Sequence, residues 1–268
     1  MKTYKKFKAI VSDFDGTLVS GSLSLSKPVK KAIQHYISKG GLFSVATGRD
    51  YYGALKDICI DLKIESLHIV RGGSEIVSSI THNVVWDKYI DSNVLKELLS
   101  FLHSKKDIYY AVERGEIIYT ADGIPHELFG SKAKYGVLND VPLDSVPKVF
   151  FPASKNTPIT IIKLADELQM KFPQLHVIKT PYNEFLGIDI TDGGVSKHLA
   201  LFEYAKLMNL DPNEIIGVGD SYNDYPLLSA CGYKVAMGNA PEELLEIADM
   251  VVGTQQEDGI LEVFEFVK

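Results

Sequence analysis

The 268-residue chain has 46% hydrophobic and 24% charged residues, a composition ordinary for a soluble globular protein that argues against disorder. Its formal net charge of -7 offers no footprint for nucleic acid or an anionic membrane surface, and no run of about 18 apolar residues is present to span a bilayer. Its two cysteines, Cys59 and Cys231, lie far apart without metal-ligand spacing, which argues for packing roles in a reducing cytoplasm and against a disulfide framework. The basic start, Met1 to Lys6, meets Asp13 and Asp15 too soon to read as a signal peptide.

The first third alternates short apolar runs with helical periodicity, the pattern of βαβ units in a parallel sheet. Phe7-Lys8-Ala9-Ile10-Val11 predicts a strand that empties into Asp13-Phe14-Asp15-Gly16-Thr17-Leu18. Open α/β sheets bind ligands at such strand ends. Asp13 and Asp15 together can share one hard cation while an Asp13 oxygen attacks an electrophile, and Gly16 permits a tight turn beneath them. Ser26-Lys27-Pro28 opens a helix whose stripe is Val29, Ala32, Ile33, Tyr36 and Ile37, and Gly40-Gly41 ends it. A second strand over 42–46 stops at Thr47-Gly48-Arg49, a helix follows over 51–62, and Leu67-His68-Ile69-Val70 makes a third strand.

After Arg71-Gly72-Gly73 the texture changes, with a hairpin turning near His82-Asn83. An α+β insertion is expected over 87–187, beginning with the amphipathic stripe Val94, Leu95, Leu98, Leu99 and Leu102. It continues through paired strands over 108–112 and 117–120, a strand at Val149-Phe150-Phe151, a helix over 159–172 and strands over 175–178 and 185–190. Tyr109, Tyr110, Arg114, Tyr119, Tyr182 and Asn183 are candidates for lining a substrate pocket there. The alternating pattern resumes over 188–268: a helix over 195–208, the strand Ile215-Ile216-Gly217-Val218-Gly219, a short helix over 225–229, and two strands flanking a helix over 241–247. That first long strand ends in a second acidic loop, Asp220-Ser221-Tyr222-Asn223-Asp224. The fold class expected is α/β, a doubly wound Rossmann-like sheet made by 1–86 and 188–268, interrupted by the inserted domain.

Four loops at strand ends or helix starts carry what phosphoryl transfer needs. Asp13 to Thr17 supplies carboxylates, Thr47-Gly48-Arg49 a hydroxyl and an approachable amide, Gly194-Val195-Ser196-Lys197 a positive charge at a helix start, and Gly219 to Asp224 further carboxylates. In this order they resemble the four motifs of the haloacid dehalogenase-like phosphatase superfamily. The insertion resembles the α/β cap of its Cof-type sugar-phosphatase branch, and Ala236-Met237-Gly238-Asn239-Ala240 and Glu257-Asp258-Gly259 are similar to its trailing signatures.

The resemblance implies Asp13 as a nucleophile that becomes an aspartyl phosphate, and Asp15 as the acid that protonates the leaving oxygen and then activates water. It implies Mg²⁺ on the Asp13 carboxylate, the Asp15 backbone carbonyl and Asp220. Thr47, Lys197, Asn223 and the backbone amides of Phe14 and Gly48 would hold the phosphoryl oxygens, with Asp224 orienting Lys197 or a metal-bound water. The substrate implied is a small phosphorylated metabolite, hydrolysed by a cytoplasmic monomer or small homo-oligomer with no nucleic-acid or membrane partner. A phosphomutase on the same scaffold and a non-catalytic regulator that binds phosphorylated ligands are the alternatives. The chain departs from the branch at Arg71-Gly72-Gly73, where many relatives have Asn-Gly; Arg71 there offers a positive charge at the mouth of the site.

Overall fold

A computed structural model describes residues 7–21, 23–105, 108–121, 134–152, 158–182 and 185–267. The chain divides into two compact units, residues 1–86 with 196–268 and residues 87–195.

In chain order the first unit begins with β1 (Ala9–Ser12), α1 (Lys27–Ser38), β2 (Leu42–Val45), α2 (Ala54–Leu62), β3 (Leu67–Val70), β4 (Glu75–Ser78) and β5 (Val84–Asp87). The second unit holds α3 (Ser92–His103), β6 (Ala111–Arg114), β7 (Ile117–Thr120), β8 (Lys134–Val137), β9 (Lys148–Phe151), α4 (Pro158–Lys171), β10 (Leu175–Tyr182) and β11 (Phe185–Asp192). The first unit resumes with α5 (Lys197–Leu207), β12 (Ile215–Gly219), α6 (Tyr225–Ala230), β13 (Tyr233–Met237), α7 (Glu242–Ile247), β14 (Met250–Val252) and α8 (Leu261–Phe266).

The first unit is built on a parallel sheet in the order β14-β13-β12-β1-β2. Its inner strands read as unbroken apolar runs because both faces are covered, and Ile10, Val11, Ile215, Ile216 and Val218 have no exposed surface. One face packs Ile33 of α1, Leu55 of α2 and Phe264 of α8; the other packs Leu201 and Tyr204 of α5, Leu228 of α6 and Leu244 of α7. This is the doubly wound arrangement expected. Ser26 caps α1 by accepting from the Val29 amide at 3.3 Å, and Pro28 sits in its first turn.

Site placement follows from register. Ser12 of β1 lies opposite Val45 of β2 on one side and Val218 of β12 on the other, so Asp13, Thr47 and Asp220 leave the sheet from neighbouring strand ends. The chain's first strand is flanked by strands from both halves, which makes this a topological switch point.

The third strand departs from expectation. β3 meets β2 only at a single parallel bridge, Ala46 to Ile69, and instead pairs antiparallel with β4 in a separate sheet ordered β3-β4-β5. Side chains fill the seam: the Val45 amide donates to His68 Nδ1 at 3.1 Å, and Ser44 Oγ lies 2.8 Å from both Ser66 Oγ and Tyr204 Oη. These buried groups stand where ladder carbonyls would be, which keeps the backbone donors satisfied as the strands diverge.

The second unit has a six-stranded sheet, β10-β11-β9-β6-β7-β8. Val112, Val149, Phe151, Ile188 and Ile190 line one face and pack against Leu95, Leu98 and Leu102 of α3 and Ile161, Leu164 and Leu168 of α4. Strand β8 is absent from the sequence reading because Lys134-Tyr135-Gly136-Val137 is short and only half apolar. The division between units lies after Val195, whereas the sequence boundary at 187/188 cuts through β11. β11 pairs along its length with β10 and buries Ile188 and Ile190 in this unit's core, so it cannot belong to the other unit's sheet. Among the described residues no helix is long and apolar enough to cross a membrane.

Candidate active site

Asp13 follows β1 directly, and its amide still continues the ladder by donating to the Val218 carbonyl at 2.8 Å. That bond holds its carboxylate at the C-terminal end of the strands. Lys197, first residue of α5, reaches it: Nζ lies 2.6 Å from Asp13 Oδ1 and 2.6 Å from Asp224 Oδ1. Ser196 starts α5 at this point because its side chain accepts from the Leu199 amide at 3.2 Å. Asp224 is fully buried, and its Oδ2 accepts from the amides of Asp220 and Ser221 at 3.0 and 3.1 Å. Asp224 thereby fixes both the ammonium and the loop after β12.

Asp220 accepts from Thr17 Oγ1 at 2.9 Å and from Asn239 Nδ2 at 3.3 Å. Asp13, Asp220 and Asp224 each present an oxygen within 4.8 Å of the others. Three carboxylates therefore cluster where one ammonium pairs directly with only two of them, Asp13 and Asp224. Burial pushes the Asp13 carboxyl well up and the Asp224 charge adds to the rise, while Lys197 pulls it back. Burial likewise brings Asp220 up to about 6, against the pull of the Thr17 hydrogen bond. Desolvation works against the Lys197 ammonium, but the attraction of Asp13 and Asp224 outweighs it and raises its pKa. The pocket is thus short of positive charge and lined by hard oxygen donors, the chemistry that fits a divalent cation such as Mg²⁺.

Glycines make room for this packing. A Cβ on Gly16, whose φ is +85°, would lie 2.3 Å from Asp220 Oδ2. One on Gly219 would lie 2.4 Å from Asp224 Cβ.

The other expected residues are placed differently from one another. The Asp15 carboxylate is half-exposed and turned to Arg49, whose Nε and Nη2 donate to its two oxygens at 2.6 and 2.8 Å. Asp15 is thus engaged by Arg49 and is not one of the three clustered carboxylates. Thr47 is buried, and its Oγ1 accepts from the Arg49 amide at 3.1 Å. The Phe14 ring is buried and its carbonyl accepts from Leu18 and Val19, while the space beside Gly48 is open. Asn223 is exposed and accepts from Ser221 Oγ at 2.7 Å, outside the acidic cluster.

Arg71 is not an open charge at the mouth. Its side chain is 2% exposed and paired with Glu75 one turn on, so its charge is met inside the protein. The turn it begins is anchored: the Arg71 amide donates to Arg49 O and the Gly72 amide to Thr47 O. A Cβ on Gly73, at φ +107°, would lie 2.4 Å from the Ser196 carbonyl. The stretch that departs from Asn-Gly therefore braces both the Thr47 loop and the start of α5.

In the second unit Tyr110 and Tyr119 belong to the apolar core, with Tyr110 Oη 3.2 Å from His103 Nδ1. Arg114 is paired with Asp144 at 2.8 Å. Asn183 and the side chain of Tyr182 lie outside the described residues. Thr17 and Asn239 are the contacts to which the sequence assigns no role, while Arg49, open in the sequence to a substrate or cap contact or to a surface salt bridge, forms an ion pair with Asp15. Thr17 and Asn239 stand inside motifs the sequence displays, but only the fold shows that both reach Asp220.

Comparisons with known proteins identify the family. The chain is 26% identical over 258 residues to a Bacillus subtilis protein named 5-amino-6-(5-phospho-D-ribitylamino)uracil phosphatase, with 94% of this chain and 92% of that one covered. It is 27% identical to the B. subtilis phosphatase YwpJ, covering 94% and 97%. A crystal structure of a haloacid dehalogenase-like hydrolase from Bacteroides thetaiotaomicron superposes with a TM-score of 0.86 at 23% identity, covering 98% of this chain and all of that one. The family model for haloacid dehalogenase-like hydrolases matches residues 10–264, and the chain belongs to that family.

Proposed function

We propose that the protein is a Mg²⁺-dependent phosphatase that hydrolyses small phosphomonoesters through an aspartyl phosphate on Asp13. The observation that carries this reading is the convergence of Asp13, Asp220, Asp224 and Lys197 from distant parts of the chain at the C-terminal ends of neighbouring strands. An Asp13 oxygen attacks phosphorus, and the ester bond breaks with its electron pair going to the leaving oxygen. Asp15 gives that oxygen a proton. Water then attacks the acyl phosphate while Asp15 takes its proton, releasing phosphate and restoring Asp13.

Lys197 lies against Asp13 and neutralises charge gathering on the transferred oxygens, with Thr47 and the amides of Phe14 and Gly48 as further donors and Asn223 at the rim. The cation, when bound, supplies the remaining positive charge at the Asp13 and Asp220 carboxylates and the Asp15 backbone carbonyl. Arg49 must release Asp15 before a proton can be passed, because its fork takes both carboxylate oxygens. The second unit supplies substrate selectivity as a cap. Similarity to a phosphatase named for a ribityl phosphate supports a hydroxylated metabolite as substrate. Buried free thiols at Cys59 and Cys231 suit a reducing cytoplasm.

The test is phosphate release from a panel of phosphorylated metabolites with Mg²⁺ or with EDTA, comparing the native protein with Asp13→Asn. Loss of roughly a thousandfold or more in kcat on Asp13→Asn, together with EDTA sensitivity, is the expected result. Equal release by both proteins overturns the assignment of the nucleophile. Dependence of turnover on a bisphosphate activator, without free phosphate, points to a mutase.

A further inference from the structure

Val70 and Glu75 face each other as the last pair of the β3–β4 hairpin, so residues 71–74 form its turn. Three successive residues of that turn lie in the left-handed region: Arg71 at φ +50°, Gly72 at +69° and Gly73 at +107°. Glycine fills such positions without strain, and arginine does not. Arg71 nevertheless stands at the first of them, with its side chain 2% exposed and its Nη1 donating to the Glu75 carboxylate, itself 3% exposed. An ion pair this deeply buried is a poor source of stability, because apolar side chains of similar size serve as well or better. What the pair supplies is direction, a fixed bond between the first residue of a strained turn and the strand that follows it.

We propose that Arg71 and Glu75 are positioning residues for phosphoryl transfer, which hold the Thr47 hydroxyl and the Lys197 ammonium in place through the turn they clamp. The proposal rests on the phosphatase reading above. On one side three backbone bonds lace the end of β3 and its turn to the Thr47 loop: the Thr47 amide donates to the Ile69 carbonyl at 2.9 Å, the Arg71 amide to the Arg49 carbonyl at 2.8 Å and the Gly72 amide to the Thr47 carbonyl at 2.9 Å. Thr47 Oγ1 in turn accepts from the Arg49 amide at 3.1 Å. On the other side Gly73 is pressed against the start of α5, where a Cβ would come within 2.4 Å of the Ser196 carbonyl oxygen and 3.1 Å of the Lys197 nitrogen. That carbonyl accepts from the Ala200 amide at 3.0 Å in the first turn of the helix, from which Lys197 reaches Asp13. A shift of the turn therefore moves both groups. Buried against Glu75, Arg71 acts through the backbone it holds and not as a donor to substrate.

The test compares the native full chain with Arg71→Met, Glu75→Met and the double variant, which removes both charges together and leaves neither buried alone. Each single variant is expected to lose stability to urea, and the double variant to regain most of it. Activity separates positioning from folding. With p-nitrophenyl phosphate and Mg²⁺, kcat of the double variant is expected to stay about tenfold or more below native while KM changes by less than about threefold, since Thr47 and Lys197 meet charge that gathers in the transition state. Recovery of kcat to within twofold of native, together with stability, overturns the proposal. Should the double variant not fold, Arg71→Lys keeps a cation beside Glu75 without the planar fork, and a native kcat in that variant overturns the proposal equally, against an expected loss of about threefold or more. Hydrogen exchange gives an arm without catalysis. The amides of Arg71, Gly72 and Ala200 are expected to exchange about tenfold or more faster in the double variant, while those of Ile10 and Val11 in β1 keep the native rate. Native exchange at all three overturns the clamp. Absence of phosphate release by the native protein is a separate outcome, which removes the phosphatase reading and leaves exchange to decide whether the pair holds the turn.

Discussion

The tightest steric demand in the acidic pocket falls on Gly16. An alanine there would have to hold φ at +85° while its methyl group enters the Asp220 carboxylate, so either the turn after Asp13 or Asp220 itself must move. Gly16→Ala is expected to lower kcat by one hundredfold or more, through displacement of a metal-binding oxygen, and to weaken Mg²⁺ affinity measured by calorimetry. Native-like affinity in that variant would show that the Asp220 position is not what the cation reads. Thr17→Val is a gentler probe. It removes the hydroxyl that orients Asp220 Oδ1 at 2.9 Å and leaves the side chain's shape unchanged, so Mg²⁺ affinity is expected to fall by about tenfold or more with little change in fold. Both variants act on one carboxylate, one through space and one through a hydrogen bond, and the pair separates crowding from orientation.

At the level of elements, the parallel strands and the loops that follow them were legible because a strand buried on both faces must be an apolar run, and Asp13 and Asp220 interrupt such runs abruptly. The seam between β2 and β3 was not legible. Leu67-His68-Ile69-Val70 has the composition of another parallel strand, and nothing local reveals that His68 turns its ring to the Val45 amide or that Ser44, Ser66 and Tyr204 meet. The same holds in the second unit, where nothing local distinguishes the core residues Tyr110 and Tyr119 from pocket-lining aromatics. Strand alternation puts Tyr119 opposite Val112 on the core face, while Glu113, Lys148 and Asp189 on the other face meet only once β9 lies between β6 and β11. The seam has a thermodynamic signature. Since His68 Nδ1 accepts, its proton sits on Nε2 beside Cys59 Sγ, and burial lowers its pKa from 6.5 to about 3. As pH falls through 6.5 the unfolded chain gains a proton that the folded chain refuses, so stability drops by up to about 1.4 kcal/mol per pH unit until about pH 3. Urea unfolding at pH 7 and pH 5 is expected to show the native protein losing about 2 kcal/mol more than His68→Gln, which keeps an acceptor for Val45 but does not titrate. Equal losses would mean that the seam stays closed around a charged ring.

On the scale of the whole molecule, the site belongs to the discontinuous unit, so its carboxylate repulsion acts on the stability of a domain whose two halves are separated by 109 residues, 87–195. Asp220, brought up to about 6 from an ordinary 3.8, holds a proton that the unfolded chain releases earlier, so cation-free stability falls as pH rises through that interval. A cation that binds only the folded form offsets this. At one hundred times its dissociation constant it adds about 2.7 kcal/mol. For a domain of this size that raises Tm by roughly 5 to 10 °C, and Asp220→Asn is expected to be more stable than native without Mg²⁺ yet to gain nothing from it. The inserted unit is a continuous chain with its own core, and it should fold when expressed alone as residues 87–195. A fragment ending at 187 loses Ile188 and Ile190, which are 1% and 0% exposed, and with them most of β11, the only described partner of β10 in the sheet. Two such buried side chains cost several kcal/mol, comparable with the total stability of a domain of about 100 residues. The longer fragment is therefore expected to unfold cooperatively in urea and the shorter one to show no cooperative transition. Cooperative unfolding of both would place the boundary within β11 and return that strand's C-terminal half to the first unit.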